Sequence, residues 1–139
     1  MRTQASKEII VKMFDCIDSG DFAAMRTLLA PDFVACLAGN DAMNADAFIG
    51  VLQSFADNFT DQLHFLESQM ADGEVVATRV VWSARHIANF NGVPASQKRV
   101  KIEAMAIDRV VDGKIVEHWG ISDFMTLMDQ IGAVPPAPH

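Results

Sequence analysis

Asp112-Gly113-Lys114-Ile115-Val116-Glu117-His118-Trp119 is the stretch whose reading decides the fold. Asp-Gly suits a two-residue type I′ turn, because Asp and Gly tolerate the positive φ angles it demands. Alternating and β-branched residues flank it on both sides, so the stretch predicts an antiparallel hairpin joining strands over about 99–111 and 114–121. An uninterrupted ladder places Val111 opposite Lys114, Arg109 opposite Val116 and Ile107 opposite His118. On the other face Ala106 meets Trp119 and Ala104 meets Ile121. Small residues facing a Trp leave room, filled either by a ligand or by helix side chains. Asp123 shares the parity of Trp119 and Ile121 if the strand extends that far.

Upstream of the hairpin the strand pattern continues. Runs over about 62–70 and 74–86 are joined through Asp72-Gly73, and a loop over 89–96 leads into the strand from Arg99. The first half has the period of helices instead. Ile9, Ile10, Met13, Phe14 and Ile17 share one face, and Ser19-Gly20 stops that helix. Asp21 reads as the N-cap of a second helix carrying Phe22, Met25, Leu28 and Leu29, ended by Pro31. Phe33 to Leu37 reads as a short strand. Asn44 caps a third helix with the stripe Phe48, Val51, Leu52, Phe55 and Phe59. A last helix presents Phe124, Leu127, Met128 and Ile131 and ends at Gly132. Helices first and a meander after make an α+β class. The expected architecture is a cone-like one. N-terminal helices pack on a curved mixed or antiparallel sheet enclosing an apolar pocket, and a short helix closes the chain.

The chain has 139 residues, read as a single domain over 1–139 with its core at about 7–132 and a Pro-rich tail at 133–139. Eleven basic against 18 acidic residues give a net charge of −7, which disfavours nucleic acid and anionic membrane surfaces as partners. No apolar run reaches membrane-spanning length and the N-terminus lacks a signal-peptide core, so a cytoplasmic location is expected. Cys16 and Cys36 are expected as free thiols. The four His show no compact metal-ligand spacing, and no phosphate-binding loop or nucleophile elbow is present. The expectation is therefore no metal and no cofactor. Val76, Val80 and Trp82 alternate with Val75, Val81 and Ile87, so both sheet faces are apolar. One layer of helices covers only one face, and a homodimer is expected to cover the other.

The hairpin, followed by Asp123 and Leu127-Met128-Asp129-Gln130-Ile131-Gly132, resembles the C-terminal signature of the SnoaL-like polyketide cyclases. Ser19-Gly20-Asp21, Leu29-Ala30-Pro31-Asp32-Phe33-Val34, and His86 with Phe90, Gly92, Val93 and Pro94 fit the same pattern. The resemblance implies the cone-shaped fold shared with ketosteroid isomerase, scytalone dehydratase and nuclear transport factor 2. It also implies a homodimer or higher oligomer formed through the outer sheet face. The chemistry implied is a cofactor-free intramolecular aldol closure driven by an aspartate acid/base, carried over on motif position to Asp123. Three positions depart from the pattern. Ala35-Cys36-Leu37 replaces a polar stretch, Ala106 stands where an acid is common, and Gly120 stands where Asp usually follows the motif Trp.

The candidate catalytic residues are Asp123 and His86. Asp123 is either a desolvated acid/base or simply the N-cap of the last helix. His86 either rims the cavity or ends its strand in solvent or on a neighbouring carbonyl. The candidate pocket comprises Trp119, Trp82, Ala104, Ala106, Cys36, Phe33, Phe55 and Phe90. His118 is expected on the outer face, Glu103 likewise, and His64 at the surface. The function expected is a cyclase- or isomerase-type enzyme, with lyase or hydrolase chemistry as variants, acting on a small, mostly apolar molecule. The alternative is a small-molecule-binding or dimeric interaction protein of the same fold.

Overall fold

Apolar residues at helical spacing build the cover of this protein, and strand alternation builds its floor. The computed structural model describes residues 2–38 and 40–133. Helix α1 spans Arg2–Ser19, α2 Phe22–Arg26 and α3 Ala45–Asn58. Gly20, at φ +75°, takes the left-handed conformation that ends α1. Asp21 caps α2 through the backbone N–H of Ala24, and Asn44 caps α3 through that of Ala47. Strands β1 (Leu29–Leu37), β2 (Phe59–Asp72), β3 (Val75–His86), β4 (Arg99–Val111) and β5 (Lys114–Ser122) form one open mixed sheet. Their order is β1-β5-β4-β3-β2, with β1 parallel to β5 and all other pairs antiparallel. Helix α4 spans Phe124–Gln130. No helix among the described residues is long and apolar enough to cross a membrane.

Two boundaries differ from the sequence reading. Helix α2 stops at Arg26, and Leu29 already belongs to β1. Pro31 lies inside that strand, not after a helix. β1 is a sheet edge, and the pairing with β5 slips between Leu29 and Val34, so a residue without an N–H is tolerated there. Phe59, expected on the α3 stripe, opens β2 instead. The tail expected from 133 onward lies, apart from Ala133, outside the described residues.

The consequential difference is in the hairpin. Asp112 and Gly113 have φ of 51° and 78°, as a type I′ turn requires, and Val111 pairs with Lys114. The ladder then slips. Val110 pairs with Ile115 but Arg109 pairs with Glu117, leaving Val116 as an extra residue in β5. This β-bulge reverses the parity of everything after it. Asp108 now faces His118, Ile107 faces Trp119, and Ala106 faces Gly120. The expected pairing of Ala106 with Trp119 is corrected accordingly. His118 turns inward and is 6% exposed, while Trp119 turns outward and is 41% exposed.

Inward-facing residues form two buried clusters. One joins α1, α2, β1 and α3 to the sheet through Ile10, Met13, Phe33, Phe48 and Val80. The other gathers Phe59, Trp82, Phe90, Ile102 and Leu127. The outer sheet face leaves Leu63, Phe65, Ile107 and Trp119 exposed. Glu103 lies on that face, as expected, held by Arg79 at 3.2 Å.

Inserting an alanine between Glu117 and His118 would put the alanine opposite Asp108, His118 opposite Ile107 and Trp119 opposite Ala106, driving Trp119 into the cavity. Urea unfolding of that insertion variant should lose its cooperative transition, whereas Val116→Ala should keep it. An insertion variant as stable as Val116→Ala would show that the sheet does not hold these residues to one parity.

Candidate functional site

A cavity of about 400 Å³ lies between the inner sheet face and the helices, within the size range of small-molecule pockets. Its walls are mainly apolar, with Phe48, Leu52, Phe55 and Val80 among them, and polar groups enter at few places.

The first of these is His118. Its Nδ1 lies 2.6 Å from Oδ1 of Asp108, the residue opposite it across the β4–β5 ladder. Asp108 is 0% exposed, and its other oxygen has no partner among the described residues. A carboxylate only accepts, so on the neutral ring Nδ1 carries the hydrogen and Nε2 keeps a lone pair. The ring leans on Phe48, at 5.0 Å between centroids. Nε2 lies beside Gly120, where a Cβ would come within 3.1 Å of it and within 3.2 Å of Leu37. A glycine at 120 therefore keeps the free nitrogen accessible, and both residues line the cavity. A buried imidazole oriented by a carboxylate can take up a proton while the carboxylate stabilises the resulting cation.

The second is His64, in β2. Its Nδ1 is 2.5 Å from Oδ1 of Asp18 in α1, and its backbone N–H donates to Oδ2 of the same carboxylate at 2.8 Å. Nearby, Gln62 Oε1 accepts the indole N–H of Trp82 at 2.9 Å, which fixes that ring in the wall. Among the described residues no three His, Cys, Asp or Glu side chains converge as a metal-ligand set.

The expected pocket residues divide. Trp82, Phe55, Ala104 and Ala106 line the cavity. Phe33 sits behind its wall, tilted against Phe48 at 5.4 Å between ring centroids and closed within the core. Phe90 is buried in the second cluster against Phe55 and Phe59. Trp119 and Cys36 are corrected to the outer face, where they pair across β1 and β5, because the bulge inverts one and strand alternation orients the other. Cys36 and Cys16 are both free. Burial, then Asp21 and Asp15, push the Cys16 thiol above its ordinary value.

His86 and Asp123 stand outside the residues that line the cavity. His86 is fully buried, with Nδ1 accepting the backbone N–H of Ser96 at 3.1 Å and facing its hydroxyl at 2.9 Å. It secures the loop between β3 and β4. Asp123 is the N-cap of α4, taking the Thr126 backbone N–H at 3.1 Å and its hydroxyl at 2.6 Å. The hydroxyl first, and the backbone N–H second, hold the exposed Asp123 carboxyl below the usual carboxylate range. The ionised cap thus supports α4 above the ordinary carboxylate pKa, and that support is lost as pH falls through the depressed value.

Sequence reasoning missed Asp108, His118, His64 and Asp18. Asp108 was legible, since it shares the inward parity of Ala104 and Ala106 along β4. His118 was hidden by the bulge. Asp18 and His64 are separated by 46 residues, and no local pattern joins them.

The family model described as SnoaL-like polyketide cyclase matches residues 7–131. The chain is 29% identical over 95 residues to the aklanonic acid methyl ester cyclase DnrD of Streptomyces peucetius, covering 68% of this chain and 66% of that protein. It is 24% identical over 123 residues to the nogalonic acid methyl ester cyclase of Streptomyces nogalater, covering 86% and 92%. The chain thus spans just under two thirds of the first relative's length. Among solved structures, AclR, a proposed hydroxylase from Streptomyces galilaeus, superimposes with a TM-score of 0.88 at 26% identity, covering 96% of this chain and 99% of that one. IdmH, a proposed polyketide cyclase from Streptomyces antibioticus, does so at 0.83 and 32%, covering 91% and 98%.

Replacing Asp123 by Asn should leave the melting temperature nearly unchanged, since both residues cap well, and Asp123→Ala should lower it by a few degrees. Calorimetry of the two variants checks this. Equal melting temperatures for Asn and Ala would remove the cap role.

Proposed function

The chain belongs to the SnoaL-like polyketide cyclase family, and on that premise we propose that it closes a ring in a polyketide-like molecule by acid–base catalysis at His118. The observation that supports this most is the inward imidazole whose Nδ1 is held by buried Asp108 and whose Nε2 lies open beside Gly120. In an aldol closure, Nε2 takes the proton from a carbon next to a carbonyl. The resulting enolate attacks a second carbonyl of the same molecule, forming one carbon–carbon bond. The imidazolium, stabilised by Asp108, returns the proton to the new alkoxide. Atoms and electrons balance within substrate and protein, so the reaction calls for no cofactor. The apolar walls exclude water and sharpen the electrostatic effect of the His118–Asp108 pair. The role first given to Asp123 and His86 passes to His118, because both of those side chains are engaged outside the cavity.

A second reading, binding without turnover, is favoured by Ala106 and Gly120. Together they leave the wall opposite each other without the acids the family pattern carries there.

The relatives' names supply the first substrates to try: aklanonic acid methyl ester and nogalonic acid methyl ester. His118→Asn retains a donor for Asp108 but removes Nε2. It should lower turnover by roughly 10²–10⁴-fold with the fold intact by circular dichroism. Undiminished turnover in that variant would refute the proton-carrier role, and binding of both esters without turnover by the parent would establish the second reading.

The outer face is proposed to join two copies of the chain, in keeping with its exposed Leu63, Phe65, Ile107 and Trp119. Trp119→Lys should convert a dimer to a folded monomer in light scattering. A parent that scatters as a monomer would dismiss the dimer.

A further inference from the structure

His64 and Asp18 are not used by the chemistry above, yet they form the most tightly organised polar pair on the other side of the cavity. One carboxylate engages His64 twice, through the ring Nδ1 and the backbone N–H. The two side chains are only 14% and 16% exposed, and the ring lies 5.0 Å from Phe14. The ring therefore has one orientation and, when neutral, one tautomer: the hydrogen sits on Nδ1 and Nε2 is an acceptor. No group among the described residues donates to Nε2, although His64 lines the cavity. A clamp of α1 on β2 alone would need only the backbone N–H. The second oxygen instead sets the polarity of a nitrogen that the protein leaves unused.

The sheet separates this nitrogen from His118. His64 lies on β2 and His118 on β5, with β3 and β4 between them, three strand spacings or ~14 Å along the sheet. They are also offset along the strands: His64 pairs with Trp82, whereas Asp108, the partner of His118, pairs with Val76. Such groups do not serve the same reacting atom. The wall between them includes Val80, Ala104, Ala106 and Ile102.

We propose that His64, oriented by Asp18, binds a phenolic or enolic hydroxyl at the end of the substrate remote from His118, and so selects for ligands that donate there. The proposal rests on the cavity being the substrate site. It makes His64 a substrate-binding residue and Asp18 a positioning residue that acts through it.

The first test needs no variant. In ¹⁵N-histidine-labelled protein at alkaline pH, the His64 ring should carry hydrogen on Nδ1 and none on Nε2, and 2-naphthol should shift Nε2. Hydrogen on Nε2 in the free protein overturns the proposal. The second test is calorimetric titration with 2-naphthol and with 2-methoxynaphthalene, which lacks the donor. The parent should favour 2-naphthol by roughly 3- to 10-fold, the worth of one hydrogen bond. Asp18→Asn keeps an oxygen for the backbone N–H of His64 but turns an amide donor toward Nδ1, moving the ring hydrogen to Nε2. In that variant the preference should vanish or reverse, while the fold by circular dichroism is retained. Equal affinities in the parent, or an unchanged preference in Asp18→Asn, overturn the role of His64 and leave that of His118 standing. Failure of both naphthalenes to bind the parent overturns this proposal together with the cavity as a binding site. Loss of turnover in His118→Asn with the naphthol preference intact supports the division of roles.

Discussion

One surplus residue governs the inside of this protein. Val116 is a single residue too many in β5, and because side chains alternate with a period of two, it exchanges the two faces of the sheet for everything that follows. Were Val116 paired with Arg109 in the ladder, Trp119 would fill the cavity and His118 would stand on the outer surface. With the bulge, the imidazole meets Asp108 inside, Gly120 supplies the clearance beside Nε2, and the indole adds to an apolar outer face. Pocket chemistry and surface character thus have a common origin in one local irregularity.

Burying two carboxylate–imidazole pairs is costly, and the structure meets that cost in different ways. Asp108 is closed from solvent with a single partner, so a side chain at 118 without a donor, such as alanine, would strand a carboxylate and be strongly destabilising. Asp18 keeps a little exposure and accepts two hydrogen bonds from one residue. The first arrangement leaves one carboxylate oxygen without a partner among the described residues, and the second engages both. Apolar residues between them keep the pairs independent. An acidic chain can hold such sites because its remaining carboxylates are mostly outward, in contacts such as those of Arg79 and Arg109.

Asp123 and His86 illustrate how motif position and role diverge. Both occupy family positions, and each accepts a backbone N–H through one side-chain atom. Asp123 starts α4, and His86 ties down the loop after β3. Each supports the cavity without entering its wall: α4 contributes Leu127 to the cluster behind Trp82, and the loop contributes Phe90. A motif can be retained for the shape it produces as readily as for the chemistry it performs.

Local signals along the chain suffice for the elements and their class. The helical stripe of Ile10, Met13 and Ile17, the caps at Asp21, Asn44 and Asp123, the Asp112-Gly113 turn and the alternation of β3 and β4 are local signals. They act over a few residues and need no knowledge of the rest of the chain. The same alternation made Trp82, Ala104 and Ala106 recognisable as inward, and would have done so for Asp108. Long-range packing settled which imidazoles face the cavity. The bulge at Val116 lies in a strand held between β1 and β4, and no short-range pattern announces it. The pairing of Asp18 with His64 depends on α1 lying across β2, two elements far apart in the chain. Hydrophobic periodicity is written residue by residue, whereas the direction of a polar side chain depends on strand register and on partners brought from elsewhere.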